Sequence, residues 1–220
     1  MRKVPFVNGE FYHIYNRGVD KRNIFSDQYD LDRFFQSMNE FNVVEPIGSI
    51  FELAYKKKTL GNLVPKGKKL VDIICYCLNP NHYHFILTPL IENGIEKFMH
   101  KIGIGHTNYF NEKYKRSGAL FQGTYKAIHI DSNEYLLHFS AYVNLNNQIH
   151  QLGNLVPKLV KSSWEEYTGN NSMQDFCKKD MILGQFNDDI AAYKTFAEET
   201  ADGMMERRRE DKKLDGLLLE

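Results

Sequence analysis

Apolar residues recur at spacings that change several times along the chain, and each change marks an element. Residues 10–17, Glu-Phe-Tyr-His-Ile-Tyr-Asn-Arg, are rich in aromatic and β-branched types and read as a strand closed by Gly18. Over 27–42 the spacing becomes helical, with Leu31, Phe34, Phe35, Met38 and Phe41 on one face. Residues 53–70 hold Lys56, Lys57, Lys58, a Gly-Asn pair and Pro65, and read as a loop or hairpin. Val-Asp-Ile-Ile-Cys-Tyr-Cys-Leu at 71–78 is a strong strand; Asn79-Pro80-Asn81 is a turn, and 82–88 is a second strand stopped by Pro89. Residues 93–114 return to helical spacing in spite of Gly103 and Gly105. Ser117-Gly118 turns into a strand over 119–130, and Asp131-Ser-Asn-Glu134 reads as a capping box opening a helix to about Gln148.

The order strand, helix, strand, strand, helix, strand, helix predicts an α+β fold. We expect a ferredoxin-like, RRM-like antiparallel sheet with helices on one face and the last helix packed beside it. Residues 1–170 form the expected domain. From 171 the character changes, and Met204-Met-Glu-Arg-Arg-Arg-Glu-Asp-Lys-Lys near the end reads as a charged tail, helical or disordered. Leu-Gly-Asn-Leu-Val-Pro-Lys occurs at 60–66 and again at 152–158, too short a unit for a solenoid repeat.

Charge then alters the picture. The net charge of zero conceals a partition: residues 1–170 hold 20 Lys/Arg against 16 Asp/Glu, and residues 171–220 hold 8 against 12. Within 97–126 the basic residues Lys97, Lys101, Lys113, Lys115, Arg116 and Lys126 face only Glu112, among Tyr109, Phe110, Tyr114, Phe121 and Tyr125. Cations for phosphates mixed with rings for unstacked bases suit a single nucleic-acid strand, although a solvated helix face with core aromatics has the same composition. Three cysteines give neither a disulfide framework nor a zinc knuckle, and no apolar run is long enough for a membrane span or a signal peptide. These features point to a cytoplasmic protein without a membrane partner.

His82-Tyr83-His84 places two imidazoles on one face of a strand, about 7 Å apart at Cα, with Tyr83 on the other. Two such rings chelate one divalent ion, but eight histidines make the spacing a common accident, and a pair of core histidines is the plainer reading. On the helix after 131, Tyr135, His138, Tyr142 and Asn146 share a stripe, while Leu136, Phe139 and Val143 form an apolar one.

Several stretches lift these residues above accident. Cys-Leu-Asn-Pro-Asn-His-Tyr-His-Phe-Ile-Leu at 77–87 resembles the His-hydrophobic-His strand of the HUH single-tyrosine transposases, in particular the REP-associated branch. Tyr12-His13 with Asn16-Arg17-Gly18, Thr-Asn-Tyr-Phe-Asn at 107–111, Gly-Ala-Leu-Phe-Gln-Gly-Thr-Tyr-Lys at 118–126, Tyr-Val-Asn-Leu-Asn at 142–146 and Ser-Ser-Trp-Glu-Glu-Tyr at 162–167 are similar to that branch in the same order. The resemblance covers about residues 10–170. It implies that Tyr142 is the nucleophile and that His82, His84 and Asn146 are ligands of Mg²⁺ or Mn²⁺. It implies cleavage and rejoining of single-stranded, hairpin-containing DNA through a 5′-phosphotyrosine, by a monomer or a homodimer. Arg17, Lys113, Lys115, Arg116 and Lys126 are candidates for the DNA backbone, and Tyr109 is the rival nucleophile. The chain departs from the family in having Asn146-Asn147 where an Asn-Pro is usual, and Tyr83 where an aliphatic residue is commoner. The competing class is a domesticated, non-catalytic module that binds palindromic repeats; a third is a metal-dependent nuclease in which water attacks.

Overall fold

The computed structural model describes residues 5–60, 67–150, 159–169 and 176–217. Five strands, β1 (Phe11–Arg17), β2 (Val71–Asn79), β3 (His82–Pro89), β4 (Lys126–Ile130) and β5 (Lys161–Ser162), form one antiparallel sheet in the order β4-β1-β3-β2-β5. β3 lies at its centre. The register sets Tyr15 opposite His84 and Arg17 opposite His82 on one side of β3, with Cys77 opposite His84 on the other. Helices α1 (Gln28–Glu40) and α3 (Gly94–Lys113) complete the β-α-β-β-α-β path of a ferredoxin-like layer.

Strand alternation sorts the side chains of β3. Tyr83 and Phe85 point toward α1, where the Phe34 ring lies 5.8 Å and 6.5 Å from them, and His106 of α3 closes on Phe34 at 4.9 Å. His82 and His84 therefore face the opposite side, where α4 (Asn133–Asn144) packs. All of β2 except Asp72 is buried, which explains its near-continuous apolar run.

Three elements differ from their sequence reading. Residues 50–60, most of which read as loop, form helix α2 (Ile50–Leu60). Its start is a reciprocal cap: the Glu52 N–H donates to Ser49 Oγ, and the Ser49 N–H to Glu52 Oε2, both at 3.1 Å. The strand expected over 119–130 is ordered only from Lys126, because the segment before it turns at Gly118 and Gly123, both at positive φ, and touches β1 through a Gly18–Phe121 bridge. The last helix is capped by Ser132, whose side chain accepts from the Tyr135 N–H, and it breaks at Leu145 before a short α5 (Asn146–Ile149). The two heptapeptide copies lie, apart from Leu60, outside the described residues.

The segment read as a charged tail contains α7 (Asp180–Leu183) and a long α8 (Ile190–Leu217) that packs along α4 and α5; α6 (Trp164–Tyr167) precedes them. Tyr193, Ala197 and Ala201 of α8 are buried in the same core as the sheet. The Tyr193 hydroxyl accepts from Asn144 Nδ2 at 2.8 Å and meets Ser140 Oγ at 3.1 Å. Asn144 in turn accepts from Ser163 Oγ, which also accepts from the Tyr76 N–H of β2. This buried chain of polar contacts fixes α4 relative to the sheet and to α8.

Tyr193→Phe keeps the ring and removes the oxygen, leaving the Asn144 amide without its acceptor. We expect a loss of about 1–3 kcal/mol, read as a lower urea midpoint with an unchanged slope.

Candidate active site

β3, β1, α4 and α5 each bring residues to one place. His82 and His84 project from the face of β3 opposite the α1–α3 layer, and their rings lie 5.2 Å apart, nearly perpendicular. His13 projects from β1 on the same face, and its Nε2 lies 2.8 Å from His84 Nδ1. Tyr142 comes from α4, its ring 5.5 Å from His84 and 6.1 Å from His13. The break at Leu145 turns Asn146 inward, fully buried, so that its Oδ1 lies 3.2 Å from His82 Nε2. The structure thus unites His82, His84, Tyr142 and Asn146. The rest of the expected stripe separates: His138 packs on Phe196 of α8 at 5.2 Å, and Tyr135 lies on Phe139 at 4.5 Å.

Hydrogen bonds assign the lone pairs. His82 Nδ1 lies 2.6 Å from Asn81 Oδ1, so Nδ1 carries the proton and Nε2 is an acceptor. Asn146 Oδ1 is also an acceptor, and the Asn79 amide donates to both, at 3.0 Å and 2.9 Å. The two acceptors lie 3.2 Å apart and converge on the Asn79 amide, so a cation held by both would take the place of that amide's protons. In the tautomer where His84 Nδ1–H donates to His13, its Nε2 is free to add a third donor, with the other ring nitrogen engaged as is usual for a ligating histidine. Burial lowers the pKa of His82, helped by Arg17 and opposed by Asn146, and lowers that of His84 well below the ordinary value. Burial also brings His13 down to about 4. The imidazoles are therefore neutral at physiological pH, as metal ligands must be. Among the described residues no group of three or more His, Cys, Asp or Glu is disposed to hold a metal, so a site here depends on the Asn146 amide.

Two further residues gather at Tyr142. His150, just past α5, places Nε2 3.5 Å from the Tyr142 hydroxyl. Arg208 of α8 donates to His150 Nδ1 at 2.7 Å. Burial holds the Tyr142 phenol above its ordinary pKa, against the Asn146 hydrogen bond and the Arg208 charge. Burial, then the Arg208 charge, brings His150 down to about 4.

The basic candidates fall in two places. Arg17 ends β1 opposite His82 and donates to Gln122 Oε1 at 2.6 Å. Lys126 begins β4 with its ammonium 6.0 Å from the ring of Tyr15, which lies 4.9 Å from His13. Both are near the site, and Lys126 also borders an open groove of about 1160 Å³ lined by Tyr15, Tyr83, Phe121 and Tyr125. Lys113, Lys115 and Arg116 lie elsewhere, at the end of α3. Lys113 binds Asp27 at 2.7 Å and the fully buried Asp30 at 2.6 Å, Lys115 pairs with Glu112 at 3.6 Å, and Arg116 covers the Phe110 ring at 5.5 Å. Tyr109 donates to Asp30 at 2.8 Å in the same network, on the far side of the sheet from the histidine pair.

Comparison with known proteins agrees with this geometry. Residues 58–146 match the family described as "Transposase IS200 like". The matched segment is less than half of the chain. The chain's fold is similar to that of a solved REP-associated tyrosine transposase bound to a REP hairpin, with a TM-score of 0.51 at 11% identity over 82% of this chain and 92% of that one. No curated protein sequence matches it. The matched segment contains His82, His84, Tyr142 and Asn146 but not His13, His150 or Arg208. Sequence reasoning quoted His13 without a role and passed over Asn79, His150 and Arg208; the His-paired position of Asn79, three residues before His82, was the one available local signal.

The Asp30 network yields a test. Burial opposes the Asp30 charge, but Lys113, the Ser26 N–H, Tyr109 and Tyr114 outweigh it and hold the carboxyl below its ordinary pKa. A carboxyl depressed in the folded state stabilises at neutral pH, and that stability is lost as pH falls through the acid range. Lys113→Met leaves the carboxylate without its cation and should cost about 2 kcal/mol at pH 7, less than a fully buried pair because Lys113 is partly exposed. The cost should shrink on acidification in urea titrations.

Proposed function

We propose that this protein is a transposase that cuts and rejoins single-stranded DNA through a covalent 5′-phosphotyrosine on Tyr142. The observation that carries the reading is the meeting of the Tyr142 ring, two neutral imidazoles of β3 and the buried Asn146 amide at one point of the sheet. A tyrosine surrounded only by apolar side chains would be a packing residue; this one faces groups suited to a phosphate and its counter-ion.

The Tyr142 oxygen attacks phosphorus in line, forming an O–P bond as the P–O3′ bond breaks. The phenol loses one proton and the departing 3′ oxygen gains one, so the products are a 5′-phosphotyrosine and a free 3′-OH. The number of phosphodiester-type bonds is conserved, and a second 3′-OH reverses the step to join strands without ATP. His82 Nε2, His84 Nε2 and Asn146 Oδ1 would hold the divalent ion, Mg²⁺ or Mn²⁺, which when bound polarises a non-bridging phosphate oxygen. His13 holds His84, and Asn81 and Asn79 hold His82, so both rings are oriented before DNA arrives. Arg17 and Lys126 flank the site for the DNA backbone, and the aromatic groove beside Lys126 suits an unpaired base. A hairpin substrate is the natural choice, because the structurally similar transposase is bound to a REP hairpin.

The test is incubation with labelled hairpin DNA and Mn²⁺, followed by denaturing gels. Wild-type protein should give cleaved DNA and a protein–DNA adduct. Tyr142→Phe should bind DNA and fold but lose both products by more than about 10³-fold, whereas Tyr109→Phe should keep them. Cleavage without adduct in Tyr142→Phe would mean that water attacks. Binding without cleavage by the wild-type chain would select the non-catalytic module.

Removing metal provides an independent check. EDTA and His84→Ala should each abolish cleavage, and restored Mn²⁺ should rescue only the EDTA-treated wild type.

A further inference from the structure

Helix α8 presents a continuous inward stripe. Tyr193, Ala197 and Ala201 follow at i, i+4 and i+8, all buried, and Met204 and Met205 continue the contact with the core. The next position on that stripe is Arg208. Among the three consecutive arginines 207–209, it is the one that the helix turns toward His150, with Nη1 2.7 Å from His150 Nδ1 and 3.2 Å from Nε2. The apolar stripe thus changes to a cation at the point where α8 passes the nucleophile.

The placement is fixed rather than incidental. Tyr193 anchors α8 to the helix of Tyr142 through Asn144 and Ser140, and α8 also packs on α5, immediately before His150. His150 Nε2 lies 3.5 Å from the Tyr142 hydroxyl, so one imidazole separates the guanidinium from the attacking oxygen. An arginine donor at a histidine ring uses one of five N–H groups, and no carboxylate partner is seen for Arg208 among the described residues. An arginine fork without a carboxylate, beside a group that attacks phosphorus, has the chemistry of a phosphate clamp.

We propose that Arg208 is a catalytic residue that donates to a non-bridging oxygen of the scissile phosphate. The inference rests on the phosphotyrosine reading above. It assigns part of the active site to the C-terminal helix, outside the segment shared with the family model.

The experiment pairs the side chain with the phosphate charge. Full-length wild type, Arg208→Ala and Arg208→Lys are assayed for adduct formation on hairpin DNA with an ordinary scissile phosphate. They are then assayed on DNA carrying each methylphosphonate diastereomer there, in which methyl replaces one charged oxygen. On phosphate, Arg208→Ala should lower the rate about 10²–10³-fold, with Arg208→Lys intermediate because it keeps the charge but not the fork. Thermal melting should be unchanged, because Arg208 is exposed. On one methylphosphonate diastereomer the wild type and Arg208→Ala should differ by less than about 3-fold, since the partner oxygen is gone. An equal loss on phosphate and on both diastereomers would overturn the proposal in favour of a structural role. A faster Arg208→Ala would overturn it in favour of an inhibitory contact, and an unchanged rate would overturn it outright. If wild-type protein forms no adduct at all, the phosphotyrosine reading fails and this inference falls with it.

Discussion

The alternation of β3 is the constraint on which the rest of the structure depends. This strand is central in the sheet, so neither of its edges is free, and helices cover both of its faces. One face gives Tyr83 and Phe85 to the packing of α1 and α3, and the other gives His82 and His84 to the site. A slip of one residue in its pairing would exchange the two sets, burying imidazoles among phenylalanines and turning Tyr83 and Phe85 toward Tyr142. The core and the chemistry are therefore specified by the same register.

Around that strand, polar groups are held in layers. Asn79 and Asn81 come from the turn between β2 and β3 and orient His82; His13 comes from β1 and orients His84. The helix of Tyr142 is positioned from behind, through Asn144, Tyr193 and Ser163. No acid is among the groups that shift the histidines or Tyr142, while Arg17 acts on His82 and Arg208 on His150.

What could be read in the sequence was what is local. β1, α1 and α3 follow from the spacing of their buried residues, and β2 and β3 from near-continuous apolar runs buried on both faces. Helix α2 was hidden by Lys56–Lys58 and the Gly-Asn pair, though Ser49 and Glu52 carried the signature of its cap. Asn146 was reached by assuming a continuous helix, whereas a break at Leu145 directs it. Lys113 looked available for DNA because its partner Asp30 lies 83 residues away, and charge counted along a window does not see such a pairing. His150 and Arg208 meet across 58 residues, and nothing near either marks the encounter.

The packing of α8 on α4 also has a consequence for the order of events during synthesis. Tyr193 is made 49 residues after Asn144, to which it hydrogen-bonds. At ordinary rates of translation that interval lasts roughly 3–10 s. During it strands β1 to β4 and the helix of Tyr142 are already polymerised, but the anchor that secures that helix has not been made. A nascent chain therefore carries the whole of residues 58–146 while the helix of Tyr142 is still unsecured, and that helix takes its final place only after α8 has docked.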